Sequence, residues 1–235
     1  MKYKSRAISL TYIKHGGSSI ISKIFTEEKG LQTFFIKGAR SKNSKKTLTY
    51  FEPLKLISID ANFVAKKSLQ TLQDVSIIEC FDIKKEKIHK NFLGFFISEV
   101  AGKVLQENEK NPELFNFIWE TAKTLCQCDK IDPNFALKYL LNLSSFLGFY
   151  PSLEDINKPF FNLLNGTFSN NIDLEKTTLQ KEESGCLKAL LKNRDMEIPQ
   201  NTKSKLLKSL LQYYKAHHYN LDGIRSHLVI ESLRQ

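Results

Sequence analysis

Paired cysteines are missing from this 235-residue sequence: Cys80, Cys126, Cys128 and Cys186 include no C-x-x-C spacing. Neither a disulfide framework nor a structural zinc is expected from such a set, and the thiols read as small buried or idle groups. Long apolar runs are missing too. Nothing approaches the ~20 residues that a membrane span requires, and no apolar segment follows the basic opening Met1–Arg6, so the expectation is a cytosolic chain with no membrane partner. Signatures of catalysis are equally scarce. There is no Gly-rich phosphate loop with a following Lys-Ser/Thr, and no G-x-S-x-G nucleophile turn. His15, His89, His217, His218 and His227 are scattered, and the adjacent pair would diverge by about 100° on a helix, a poor geometry for sharing a metal. Acid pairs such as Asp82 with Glu86 and Glu182 with Glu183 lie beside lysines rather than in a cluster suited to two-metal chemistry. A binding module without cofactor is expected, not an enzyme.

Acidic residues are also thin in one region. The chain carries a net charge of +10, with 35 Lys+Arg against 25 Asp+Glu. Residues 1–80 hold 14 of those cations and only 6 of the acids, a net +8, which leaves +2 for the rest. A polyanion such as nucleic acid is the natural partner of that excess. It peaks where an apolar stretch, Phe34-Phe35-Ile36, runs into Lys37-Gly38-Ala39-Arg40-Ser41-Lys42-Asn43-Ser44-Lys45-Lys46. Five cations and no acid stand on a Gly/Ser/Asn-rich segment, the arrangement of a loop that tracks a phosphate backbone. A merely solvated hairpin loop is the plainer reading of the same residues.

Residues 1–80 read as strands over Lys4–Lys14, Ser18–Thr26, Leu31–Arg40, Thr47–Asp60 and Ser68–Glu79, rich in β-branched and aromatic residues and separated by turn residues. Five strands in this length suggest an OB-type barrel. Alternation on the third strand sends Phe34 and Ile36 to one face and Phe35 and Lys37 to the other. Phe35 is therefore either a base-stacking platform or a second-layer core residue.

From Asp82 the period changes. Ile88, Phe92, Phe95, Phe96, Val100 and Val104 describe a helix over 85–107, and Pro112 opens a second that carries Phe115 and Trp119. Asp132-Pro133 reads as a helix start, with a nearly all-apolar helix at 133–148 as the buried centre of a helical domain, ended by Gly148 and Pro151. Loops with short elements are expected over 152–183, then helices near 184–192, 201–218 and 224–233. The fold class is thus α+β and multi-domain: a basic five-stranded OB barrel at 1–80 and an all-α domain at 81–235.

The order of these features resembles the RecO family of recombination mediator and DNA repair proteins along essentially the whole chain. The specific part is Ala7–Leu10, Gly16–Gly30 and the Lys37-Gly38-Ala39-Arg40 turn, followed in order by Glu52-Pro53-Leu54, by Leu147-Gly148-Phe149-Tyr150-Pro151, and by Tyr214, His217, Ser226 and Leu228. The resemblance implies a non-catalytic, cytoplasmic, nucleoid-associated protein. It would bind single- and double-stranded DNA, anneal complementary strands and, with RecR, help load the recombinase onto DNA coated by single-strand-binding protein (SSB). RecF is a further partner left open, and the SSB C-terminal tail would dock on the helical domain. Lys37 and Arg40 carry over as DNA-contacting positions. Lys42, Lys45, Lys46, Lys4, Arg6 and Lys14 join them on charge alone, and Phe35 as a stacking candidate. Two departures stand out. Gly17 replaces a commonly acidic residue, and Glu154-Asp155-Ile156-Asn157 occupies the place of the first cysteine pair of a zinc module that many relatives carry, so that module reads as degenerate.

Two rivals remain at this level. A basic barrel could grip an acidic protein tail and never touch DNA, since both partners attract the same lysines. A metal-dependent nuclease would need acid clusters that the sequence does not present.

Overall fold

A computed structural model describes residues 1–41, 48–79, 88–172, 177–194 and 196–226. Lys42, Lys45, Lys46, Cys80, most of the first turn expected for the 85–107 helix, and nearly all of the 224–233 helix lie outside the described residues.

Five strands, β1 (Lys2–His15), β2 (Ser19–Thr26), β3 (Gly30–Ile36), β4 (Leu56–Asn62) and β5 (Gln70–Glu79), form a closed barrel in the order β1-β2-β3-β5-β4. All neighbouring pairs are antiparallel except β3 with β5, which meet in parallel with Phe34 opposite Gln70 and Phe35 opposite Thr71. This is the five-stranded Greek-key topology of the OB fold. A register shift between Ser9 and Thr11 swaps which face each β1 residue occupies: Ala7 and Ser9 point inward before it, Tyr12 after it. Ile20, Ile24, Phe34, Ile36, Ile57 and Ile59 fill the interior, and Phe51 joins them from a short 3-10 helix (Leu48–Phe51). Burial pushes the pKa of the interior Tyr3 hydroxyl up to about 12.

Two strand boundaries differ from the expectation. The third strand stops at Ile36 because the chain turns at Gly38, which takes φ +73°. The fourth begins only at Leu56, since Leu48–Phe51 coil into the 3-10 helix and Leu54 adopts φ +64°, which together break a continuous strand from Thr47.

Helices α1 (Ile88–Val104) and α2 (Pro112–Gln127) belong to the same packing unit as the barrel, Met1–Asp129 with Ile224–Ser226. Asn111 caps α2 by accepting the Leu114 N–H at 3.0 Å, ahead of the proline at the first helical position. Phe115 of α2 rests 5.3 Å from Phe25, centroid to centroid, and both are fully buried. Burying each such side chain contributes roughly 1.5–3 kcal/mol. Between the helices, Asn108 N–H donates to Leu31 O and the Gln32 amide donates to Asn108 Oδ1, which lays this connection on the start of β3.

The second unit, Lys130–Gly223, holds α3 (Phe135–Phe146), a three-stranded sheet of β6 (Phe160–Asn162), β7 (Thr167–Ser169) and β8 (Thr178–Leu179), then α4 (Lys181–Leu191) and α5 (Gln200–Ala216). Helix α3 starts two residues later than the Asp132-Pro133 signal, because the Asp132 side chain accepts the Asn134 N–H in a local turn. Phe149 sits among Tyr213, Tyr214, His217 and Tyr219, with its ring parallel to the His217 imidazole at 4.9 Å. The Tyr213 and Tyr214 hydroxyls donate to Phe149 O and Leu140 O. The Leu147–Pro151 segment and the Tyr214/His217 pair are thus two halves of one aromatic cluster. The small sheet has its own apolar centre in Phe161 and Phe168, 4.9 Å apart.

Candidate nucleic-acid interface

The outer surface of β1, β2 and β3 is divided along its length. At one end Phe25 and Leu31, paired across β2 and β3, are covered and buried. Farther along come Lys23 with Thr33, then Ile21 with Phe35, all partly exposed, and Ile13 across from Ile21 is 61% exposed. His15 approaches Phe35 edge to face at 5.8 Å, and Lys37, just past the end of β3, is exposed. An aromatic ring between two lysines on this face is a surface on which a base can stack while ammonium groups meet the flanking phosphates.

Loops border it on two sides. Gln70 points inward and is buried, and its amide closes the β4–β5 loop: it accepts the Val64 N–H at 2.8 Å and donates to Val64 O at 3.1 Å and Lys67 O at 2.6 Å. Lys66 and Lys67 stand exposed on that loop. The β1–β2 turn is held by Arg40. Its backbone N–H donates to Ser18 O at 2.9 Å, and its guanidinium donates to Gly16 O and, at 2.7 Å, to Gly17 O. Glycine at 16, with φ +57°, lets the turn form, and the two carbonyls it presents are what Arg40 clasps.

The sequence-derived residues are therefore distributed unevenly. Phe35 and Lys37 share the open face, and Arg40 builds its edge. Lys14 is exposed but lies on the opposite side of the β1–β2 arm, opposite Ile20. Lys4 is exposed and directly across from Asp60, which in turn neighbours Asp74 on β5, so carboxylates crowd it. Arg6 is engaged at the rim of the barrel–α2 contact. Its guanidinium makes a bidentate pair with Glu27 at 2.7 and 2.9 Å, donates to Asn116 at 3.1 Å, and lies 5.6 and 5.0 Å from the ring centres of Phe115 and Trp119. The Arg6 hydrogen bond, above all, holds the Glu27 carboxyl below its usual range. Lys23, Lys66 and Lys67, near the same face, were not among the sequence-derived candidates. The two loop lysines stand in a turn segment already marked in the sequence, Ala61–Lys67, and Lys23 follows from carrying the alternation of β3 across to β2.

Among the described residues no cluster of His, Cys, Asp or Glu is arranged to hold a metal ion, and no helix is long and apolar enough to cross a membrane.

The chain thus joins an OB barrel, with one aromatic, lysine-flanked outer face, to a helical region. Residues 1–81 match the family described as recombination protein O, N terminal, and residues 85–222 match its C-terminal counterpart. The chain is 32% identical to the DNA repair protein RecO of Flavobacterium psychrophilum over 241 residues, covering 100% of this chain and 99% of that protein. The RecO of Flavobacterium johnsoniae is 31% identical with the same coverage, and that of Bacteroides fragilis 27% identical over 99% of both chains. The chain belongs to the RecO family of DNA repair proteins.

Proposed function

We propose that this protein binds single- and double-stranded DNA through its barrel, residues 1–80, anneals complementary strands, and with RecR helps load the recombinase onto SSB-coated DNA. The helical region, 81–235, serves protein docking, including the SSB C-terminal tail, with RecF as a further partner. It acts without a catalytic step, in the cytoplasm at the nucleoid. The observation that carries the DNA reading is the partly exposed Phe35 on the outer β2–β3 face between Lys23 and Lys37.

The chemistry follows from charge. Lysines that neutralise phosphates release counterions and lower the repulsion between two approaching strands, and they do so without reading bases. Lys37 and Lys23 contact phosphate directly, with Lys66 and Lys67 from the β4–β5 loop; Arg40 keeps the β1–β2 turn in place beside them. The test is binding of unrelated single-stranded oligonucleotides to the parent chain and to Lys23→Ala/Lys37→Ala. An equal loss for all sequences supports the reading. A loss confined to one sequence, or none, counts against it.

A further inference from the structure

We propose that α4 carries a second phosphate-binding site, a pair of convergent ammonium groups that holds a nucleic-acid strand apart from the barrel. Lys188 and Lys192 are one helical turn apart and both reach the same neutral residue: Lys188 Nζ donates to Asn157 O and Lys192 Nζ to Asn157 Oδ1, each at 3.4 Å. Like charges at this spacing repel, and both lysines stand at the C-terminal end of α4, where the helix dipole offsets part of that repulsion. Lys181 lies on the same face, seven residues earlier, and both neighbouring lysines, after burial itself, hold the Lys188 ammonium below its usual pKa.

Three of the carboxylates nearby in sequence are engaged elsewhere. Asp155 pairs with Lys158 at 2.7 Å, Glu182 accepts from the Thr202 hydroxyl, and Glu183 accepts the Gln180 N–H in the capping box of α4. The Lys188 ammonium also lies 5.4 Å from the centre of the Phe168 ring. The site is therefore two cations converging on neutral oxygens with an aromatic ring beneath, and the complementary group is a phosphodiester. Helix α4 is fixed for this purpose, because the Ser184 hydroxyl accepts the Phe161 N–H and donates to Leu179 O, tying it to the small sheet.

The inference rests on the DNA-binding reading, to which it adds the second strand that annealing requires. Its test is the salt dependence of oligonucleotide binding, and the annealing rate, for the full chain carrying Lys188→Gln/Lys192→Gln. Lys188→Arg/Lys192→Arg serves as the charge-preserving control, and Lys23→Gln/Lys37→Gln as the barrel control. Losing two single-strand phosphate contacts should reduce the log-log slope by about 1.4 and the affinity at 0.15 M salt about tenfold. The arginine pair should restore both, and the barrel variant should lose its own share independently. A glutamine pair with the parental slope, beside a barrel variant that loses it, overturns this inference and leaves the barrel reading standing. A parent chain that binds no DNA overturns both. A glutamine pair that keeps DNA binding but no longer binds a polyglutamate peptide assigns the site to an acidic protein, which also overturns it.

Discussion

Gly30 shows how much one residue can decide. It takes φ +66°, and a Cβ there would lie 2.0 Å from the Glu109 carbonyl oxygen, so the α1–α2 connection can lie on β3 only if this position has no side chain. Gly30→Ala combines left-handed strain with a backbone clash and should cost about 3 kcal/mol or more, lowering the melting temperature by about 6–12 °C. A thermal melt checks it; an unchanged midpoint would mean that the connection does not press on β3. His217 is the second such residue. Burial, and secondarily the adjacent His218, hold its pKa below the ordinary 6.5, so the folded chain resists the proton that the unfolded chain accepts. The unfolded state then binds more protons below about pH 6.5, and stability must fall as pH drops from there toward the folded-state pKa. His217→Phe should flatten that part of the profile in urea titrations between about pH 5 and 7.5.

Among the elements, α2 is the informative one. Its Phe115 and Trp119 meet Phe25 and the Arg6 guanidinium, and Trp119 is the sole tryptophan of the chain. Arg6→Ala should therefore shift Trp119 emission to the red while leaving oligonucleotide affinity close to parental, since Arg6 is spent on Glu27 and the two rings. Phe115→Ala should cost about 3–5 kcal/mol by opening a cavity under Phe25. An Arg6 variant that loses DNA binding with unchanged fluorescence would place this arginine in the interface instead.

The same contrast explains what the sequence could disclose. Alternation and turn residues located the five strands, because a half-buried strand writes its period into the chain. They overran at Gly38, where one backbone angle cuts the strand, and before Leu56, where the 3-10 helix and Leu54 do. Phe35 and Lys37 were legible as one face by alternation alone. The fate of Arg6 was not, because its partners Glu27 and Asn116 are 21 and 110 residues away. Charge without pairing information reads every cation as available.

For the whole molecule, the barrel cannot be treated as separable at residue 80. Helices α1 and α2 pack with it in one unit, and removing them would uncover Phe25 and Leu31 and add apolar area beside the very face in question. Whether the outer β2–β3 face around Phe35 is the DNA site is therefore tested in the full chain. The measurement is the salt dependence of single-stranded oligonucleotide binding for the parent and for Lys23→Ala/Lys37→Ala, with Phe35→Ala measured alongside. Removing two phosphate contacts should lower the slope by about 1.4, while Phe35→Ala should cost about 1–3 kcal/mol of affinity and leave the slope unchanged. Parental slopes and affinities in all variants, with the fold intact by thermal melting, would contradict the account and move the DNA site off this face.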